Sequence, residues 1–175
     1  MTTISNKKLI GFAAYSGTGK TTLIKLIVAI LKDLNYKVSV IKHAHHNFDI
    51  DHPGKDSFEI RKSGAENMLI SSKKRWALMH ENTSDDEPRL IDLLNILEGF
   101  ESDLILVEGF KAEKFPKIEL YRKDIAKDLL CTSDDSIIAV ASDSKIEKNI
   151  GLTNLDINDP KQIVDYIIKY LGIEK

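Results

Sequence analysis

The segment Ser16-Gly-Thr-Gly-Lys-Thr-Thr22 constrains this chain more than any other part of its sequence. An apolar run at 8–14 precedes it and an apolar pattern of helical spacing follows at 20–34, which predicts a strand, a loop and a helix. Glycines let backbone N–H groups turn toward a phosphate chain, a lysine reaches the outer phosphates, and a hydroxyl binds Mg²⁺. We therefore predict a nucleotide-binding phosphate loop formed by Ser16, Gly17, Thr18, Gly19, Lys20, Thr21 and Thr22.

The remainder of the chain continues to alternate strands with helices. Further strands are predicted at 37–42, 103–107, 118–121 and 137–141, and further helices at 56–62, 88–97 and 160–171. This alternation is typical of a parallel sheet. Two apolar segments within 66–81 instead predict an antiparallel hairpin at an edge of the sheet or projecting from it. The predicted fold is α/β and P-loop NTPase-like: a single domain over 1–175 with a mostly parallel sheet, flanking helices and a hairpin extension.

Composition excludes several classes of protein. The 175 residues are 42% hydrophobic with a formal net charge of −2, which describes a folded domain without the basic surface of a nucleic-acid-binding protein. No apolar run is long enough to cross a membrane and the amino terminus lacks the layout of a signal peptide. With one cysteine there is no disulfide framework. We predict a cytoplasmic protein with neither a nucleic-acid nor a membrane partner.

Glu108 ends the buried run Asp103-Leu-Ile-Leu-Val-Glu108. In a P-loop fold this strand lies beside the first one, so Glu108 would face a phosphate-bound Mg²⁺, directly or through water. Asp103 starts the strand and lies at its far end. The alternative is a solvated acid at a strand end. Together with Thr21, Glu108 is the predicted metal environment.

A segment rich in histidine and aspartate follows the second strand. It contains His43, His45, His46, Asp49 and Asp51. Since loops at the carboxyl ends of parallel strands share one edge of the sheet, these residues are predicted to face the nucleotide, with Asp49 or Asp51 near Mg²⁺. A transition-metal site and a solvated loop are the alternatives. The histidines and Lys55 are the candidates for contacts with an anionic ligand or a partner.

Asp143 follows the strand predicted at 137–141. A carboxylate can accept hydrogen bonds from guanine N1–H and N2–H₂, whereas adenine offers no such pair of donors. The Asn-Lys-x-Asp motif of many guanine-binding proteins is absent. Asp143 is therefore predicted as a nucleotide-binding residue on a weak pattern.

Several longer motifs resemble one known family. Six motifs occur in this order: Ala13 to Thr22, Ile-Lys-His-Ala-His-His at 41–46, Asp-x-Asp-x-Pro-Gly-Lys-Asp-Ser at 49–57, Arg-Trp-Ala-Leu-Met at 75–79, the segment 103–111, and Ile-Ala-Val-Ala-Ser-Asp at 138–143. Together they resemble the MobB family of molybdopterin-guanine dinucleotide biosynthesis adapter proteins over nearly the whole chain. The alanine at position 14, where the general phosphate-loop pattern has glycine, is usual in this family.

The resemblance implies a GTP-binding adapter that also binds Mg²⁺ and has weak GTPase activity at most. Its implied partners are the molybdopterin guanylyltransferase and other molybdenum-cofactor proteins. It also implies a homodimer formed through extended β-structure, which suits the predicted hairpin. No catalytic residue is assigned.

The residues leave two other functions open. One is a GTPase metallochaperone that uses the loop from His43 to Asp51. The other is a small-molecule kinase, which usually needs arginines near the γ-phosphate. The four arginines, at positions 61, 75, 89 and 122, are not clustered in the sequence, which disfavours a kinase and a fast autonomous GTPase.

Overall fold

The computed structural model describes residues 4, 7–44, 48–82, 86–125, 128–146 and 150–175. In chain order the elements are β1 (Leu9–Ala14), α1 (Lys20–Asp33), β2 (Val38–Lys42), α2 (Asp56–Lys62), β3 (Asn67–Ser71), β4 (Trp76–His80), α3 (Leu90–Leu97), β5 (Leu104–Glu108), β6 (Lys117–Tyr121), β7 (Ile137–Ser142), β8 (Thr153–Asp156) and α4 (Pro160–Leu171), with a short 3₁₀ turn at Leu130–Thr132. They form two compact units, residues 1–43 with 89–175, and residues 44–88. That the whole chain is a single domain stays a prediction.

The larger unit is built on a parallel sheet of six strands in the order β2-β5-β1-β6-β7-β8. Every neighbouring pair is parallel, so the carboxyl ends of all six strands lie along one edge. β1 is central, between β5 and β6. The predicted P-loop NTPase-like fold is confirmed, including the position of β5 beside β1. Within the described residues, no helix combines the length and the hydrophobicity that a membrane span requires.

Alternating side chains of the strands supply two cores, one on each face of the sheet. Ile10, Phe12 and Leu106 belong to the core that packs with α1 and α4. Leu9 and Val107 belong to the core that packs with α3. The sheet is thus covered on both faces, as a parallel sheet requires, and its loops at the carboxyl ends remain at the edge.

One strand was not predicted. β8 follows β7 and pairs with it in parallel, whereas the sequence pattern predicts no strand after 137–141. Its sequence, Thr-Asn-Leu-Asp, has one buried side chain, Leu155. Too few apolar residues are present to give a strand pattern, since this strand lies at the edge of the sheet and packs little of its surface.

The smaller unit, residues 44–88, contains α2 and the predicted antiparallel hairpin of β3 and β4. Leu69 pairs with Leu78, and Ser71 with Trp76. Because alternate residues of a strand share a face, Leu69, Leu78 and Trp76 lie on one face of the hairpin. Their exposed fractions are 60%, 49% and 51%. We call this surface the hairpin face.

Lys117 is a buried cation in the larger unit. It is 1% exposed, and its ammonium donates to the carbonyls of Lys111 (3.3 Å) and Glu113 (2.6 Å), to Asp134 Oδ2 (3.0 Å) and to Ser136 Oγ (3.0 Å). Burial opposes ionisation of Asp134, but hydrogen bonds from Ser136, Lys117 and Lys114 outweigh it and hold the pKa of this carboxyl below its usual range. Lys117 therefore joins the loop that follows β5 to the segment before β7.

Glu119 is a buried anion on the same strand. Its carboxylate oxygens accept hydrogen bonds from the backbone N–H groups of Leu130 (2.7 Å) and Cys131 (2.9 Å) at the 3₁₀ turn. Burial, with the nearby negative charge of Glu119, raises the pKa of the Cys131 thiol to about 11. At neutral pH this cysteine is therefore a thiol and a weak nucleophile.

Candidate functional site

The predicted phosphate loop joins the carboxyl end of β1 to the amino end of α1. Gly17 and Gly19 have φ angles of 83° and 90°, a region that side chains rarely adopt. Apart from the glycine and its chain neighbours, the described residues place nothing within 4 Å of where a Cβ would stand on either glycine. Within the described residues, no side chain caps the amino end of α1, so the loop presents an open backbone to an anion at a helix terminus.

Thr18 stabilises the loop from inside. Its side chain is buried, and its hydroxyl donates to the Tyr15 carbonyl at 2.8 Å. Ser16, Gly17 and Thr21 are exposed. Thr18 therefore fixes the shape of the loop, whereas its exposed neighbours are accessible to a ligand.

Glu108 lies beside this loop, as predicted from its place at the end of β5. Phe12 pairs with Glu108 across β1 and β5. Glu108 Oε1 accepts from the Thr21 hydroxyl at 3.3 Å and lies 3.9 Å from the Lys20 ammonium. Its Oε2 lies 3.4 Å from the ammonium of Lys42, the last residue of β2. We call Lys20, Thr21, Lys42 and Glu108 the Glu108 cluster.

The donor set of this cluster fits a phosphate-bound Mg²⁺. Mg²⁺ prefers hard oxygen ligands such as the hydroxyl of Thr21 and the carboxylate of Glu108, and usually keeps several waters. Burial is the largest influence on Lys20 and lowers its pKa; Glu108 opposes this, while Lys111 and Lys42 add to it. Two lysines thus flank one carboxylate and a third, Lys111, acts on Lys20, an arrangement that favours a polyanionic ligand.

Gly109 brings the ends of β5 and β2 together. Its φ angle is 106°, and a Cβ at this position would come within 2.5 Å of the Cβ of His43. The His43 N–H donates to the Glu108 carbonyl at 2.8 Å, and the His43 ring stacks on Phe110 with centroids 4.8 Å apart. His43 is therefore held next to Glu108 by the backbone and by its ring.

Arg122 is a site residue that the sequence analysis missed. It follows β6, and its Nε donates to the Thr18 carbonyl of the phosphate loop at 3.1 Å. Asp143, which follows β7, accepts from the Lys123 N–H at 3.1 Å and lies 3.5 Å from Arg122. Its position gave a signal, because Arg122 directly follows a predicted strand as Glu108 does, but the order of strands was needed to place it beside β1.

Asp49, Asp51 and Lys55 belong to the smaller unit. Asp49 Oδ1 and Oδ2 accept from Arg61 at 2.8 and 2.6 Å, and this pairing lowers the pKa of Asp49. Asp51 Oδ2 is buried without a hydrogen-bond partner in the described part of the chain, which is unusual for a buried oxygen. That Asp49 or Asp51 lies near Mg²⁺ stays a prediction. Lys55 is exposed just before α2.

His45 and His46 lie outside the described residues. Across the ranges that the structure describes, no three His, Cys, Asp or Glu side chains come together as a metal site. The role of the histidine segment and the metallochaperone alternative both stay predictions.

The parallel sheet, the loop after its central strand and the Glu108 cluster define a protein of the P-loop NTPase-like class. The match to a family model is more specific: the MobB model, described as molybdopterin guanine dinucleotide synthesis protein B, matches residues 9–143. This chain belongs to the MobB family. The family resemblance predicted from its motifs is confirmed.

Relatives agree with this assignment. The chain is 42% identical to the molybdopterin-guanine dinucleotide biosynthesis adapter protein of Escherichia coli K12 over 166 residues, which are 93% of each chain. It is 40% identical to the protein of the same name from Haemophilus influenzae, covering 93% of this chain and 89% of that one. The crystal structure of Bacillus subtilis MobB has the same fold, with a TM-score of 0.74 at 22% identity, over 95% of this chain and 99% of that one.

Proposed function

We propose that this chain is a GTP-binding adapter of molybdopterin guanine dinucleotide biosynthesis, which engages its guanylyltransferase in the GTP-bound state. The single observation that carries the nucleotide part is the contact of Thr21 with Glu108 beside the open glycine loop. The adapter part is supported by the sequence identity of this chain to the Escherichia coli molybdopterin-guanine dinucleotide biosynthesis adapter protein.

In this proposal the residues of the loop bind and orient a triphosphate. Backbone N–H groups around Gly17 and Gly19 donate to phosphate oxygens, and Lys20 supplies positive charge to the outer phosphates. Thr21 and Glu108 hold Mg²⁺, which neutralises phosphate charge when bound. The Arg122 side chain already donates to a backbone carbonyl of the loop. Because fast hydrolysis normally needs an arginine or a water-orienting group positioned at the γ-phosphate, we expect intrinsic hydrolysis to be slow.

The adapter role is tested by capture of purified molybdopterin guanylyltransferase on the immobilised chain, with and without GTP and Mg²⁺. The expected result is binding that increases with GTP, since the partner would recognise the loaded loop. The Lys20→Ala variant serves as the unloaded control. Equal capture in all three conditions would contradict a GTP-dependent adapter, and no capture in any would contradict the partner.

Recognition of guanine is assigned to Asp143 in this proposal. Asp143→Asn should lower the GTP-over-ATP preference by about tenfold, because the amide loses the charge-assisted hydrogen bonds to guanine N1–H and N2–H₂. The same variant should gain affinity for XTP, whose O2 accepts a hydrogen bond from the asparagine amide. Calorimetric titration with GTP, ATP and XTP measures both changes. A wild-type protein whose affinity for ATP equals its affinity for GTP would refute the assignment.

A homodimer is also part of the proposal, formed through the hairpin face. Leu69 and Leu78 lie directly opposite each other there and are about half exposed or more. An exposed apolar hairpin invites pairing with a second copy. The polar pair of Asn67 Oδ1 and His80 Nδ1, 2.7 Å apart at the end of the hairpin, borders the apolar residues.

The dimer is tested by the double substitution Leu69→Asp with Leu78→Asp. Two carboxylates in an apolar interface should weaken self-association by at least about tenfold, as measured by sedimentation equilibrium. Ile96→Asp is the matched control, since Ile96 is also an exposed apolar residue but lies on α3. This part of the proposal would be refuted by a wild type that is monomeric at micromolar concentration, or by a double variant that dimerises as strongly as the wild type.

A further inference from the structure

Arg122 contacts three segments at the carboxyl ends of neighbouring strands. Its Nε donates to the Thr18 carbonyl at 3.1 Å, its NH1 lies 3.5 Å from Asp143 Oδ2, and its NH2 donates to Asn158 Oδ1 at 3.4 Å. The three acceptors belong to the phosphate loop, the end of β7 and the segment after β8. One guanidinium thus spans four neighbouring strand ends of one sheet edge.

Asp143 is held from a second direction as well. Its Oδ1 accepts from the backbone N–H of Lys123 at 3.1 Å, the residue after Arg122. The orientation of this carboxylate therefore depends on the Arg122–Lys123 pair, through one side chain and one backbone group. Arg122 is also partly shielded, with 33% of its side chain exposed, which strengthens these hydrogen bonds relative to fully solvated ones.

We propose that Arg122 is a positioning residue that couples recognition of the guanine base to recognition of the phosphate chain. The inference rests on the proposed function, since it requires the loop to bind the phosphates and Asp143 to bind the base. A planar guanidinium carries its five donors on three separate nitrogens, so Arg122 reaches the loop carbonyl through Nε and the carboxylate through NH1, whereas a lysine carries all three of its donors on one nitrogen. Arg122 acts through Thr18 and Asp143 and does not itself contact the nucleotide.

Coupling has a measurable consequence. If Arg122 orients Asp143, removal of Arg122 lowers base selectivity and makes Asp143 matter less. Arg122→Gln should lower the GTP-over-ATP preference about tenfold. Adding Asp143→Asn to that variant should then cost less than about twofold more, because the two residues act as one unit.

The experiment measures dissociation constants of GTP, ATP and tripolyphosphate for the wild type, Arg122→Gln, Asp143→Asn and the double variant. Arg122→Lys is a second variant that keeps the charge and should not restore the preference. It also provides the test if Arg122→Gln does not fold. Arg89→Gln is the matched control, since Arg89 is an exposed arginine of the same unit that pairs with Asp92, and it should leave all constants unchanged.

The outcomes separate the inference from the proposed function. A wild type that prefers GTP, together with an Arg122→Gln variant that keeps this preference, would overturn the inference alone. Equal weakening of GTP, ATP and tripolyphosphate would also overturn it, because that result leaves the base preference unchanged and confines the effect of Arg122 to phosphate binding. A wild type without preference for GTP would refute the guanine part of the proposed function, and the inference would fail with it.

Discussion

Replacement of Lys20 by alanine should weaken GTP binding by at least about 100-fold, because the substitution removes the charge-assisted hydrogen bonds to the outer phosphates. The lysine begins α1, directly after Gly19, and its ammonium lies 3.9 Å from Glu108 Oε1. In the variant, Glu108 also loses one of its two lysine partners. Its negative charge is then less compensated and repels the phosphates more strongly. Calorimetric titration with GTP in the presence of Mg²⁺ measures the effect.

Lys25→Ala is the matched control for this prediction. Lys25 is an exposed lysine about 1.4 turns further along α1, so its loss changes the net charge equally and leaves the loop intact. Its GTP affinity should match that of the wild type. Unchanged affinity of the Lys20→Ala variant would refute the phosphate loop itself, and with it the nucleotide part of the proposed function.

Replacement of Lys117 by methionine should destabilise the protein by about 3 kcal/mol or more, since removal of one partner of a buried charged network leaves the others uncompensated. The methionine fills a similar volume but donates no hydrogen bond. The carbonyls of Lys111 and Glu113 and the carboxylate of Asp134 each lose a donor. Equilibrium unfolding in urea measures the change in the free energy of unfolding.

Lys114→Met separates the buried contact from net charge. Lys114 also pairs with Asp134, at 3.3 Å, but 64% of its side chain is exposed, so this variant should lose little stability. The two variants should also differ in acid. The lowered pKa of Asp134 stabilises the fold above the pKa of the unfolded carboxyl, about 3.9, and this contribution disappears as pH falls through the folded value. Without Lys117, the contribution of Asp134 to stability at neutral pH should be smaller. Equal free energies of unfolding for the Lys117→Met and Lys114→Met variants would contradict the prediction.

Much of the larger unit could be predicted because its strands are buried. Runs such as Leu104 to Val107 are apolar on both faces, and a phosphate loop between a strand and a helix fixes the direction of the chain. β8 could not be predicted, since it buries Leu155 among three exposed residues. A strand of this kind is held by pairing with its neighbour, and pairing leaves no pattern in the sequence.

The candidate site could be predicted only where it follows from one strand and its loop. Lys20 and Thr21 belong to a contiguous motif, and Glu108 follows from a strand known to lie beside β1 in such folds. Arg122 was missed because its contact with Thr18 joins residues far apart in the chain, through the order β1-β6. An arginine after a strand carries no specific signal in the sequence. Arg122 becomes part of the site only because β6 lies beside β1 in the sheet.

The Glu108 cluster has a thermodynamic consequence for the proposed function. One carboxylate serves as the counter-ion of Lys20 and Lys42, and it cannot hold both lysines and a metal ion with full strength. If Glu108 held a metal ion, the local potential around the lysines would become more positive and a polyphosphate would bind more tightly. By linkage, the polyphosphate would strengthen metal binding to the same degree. Under the proposed function, the site would therefore favour the nucleotide–metal complex as one ligand and would respond weakly to either component alone.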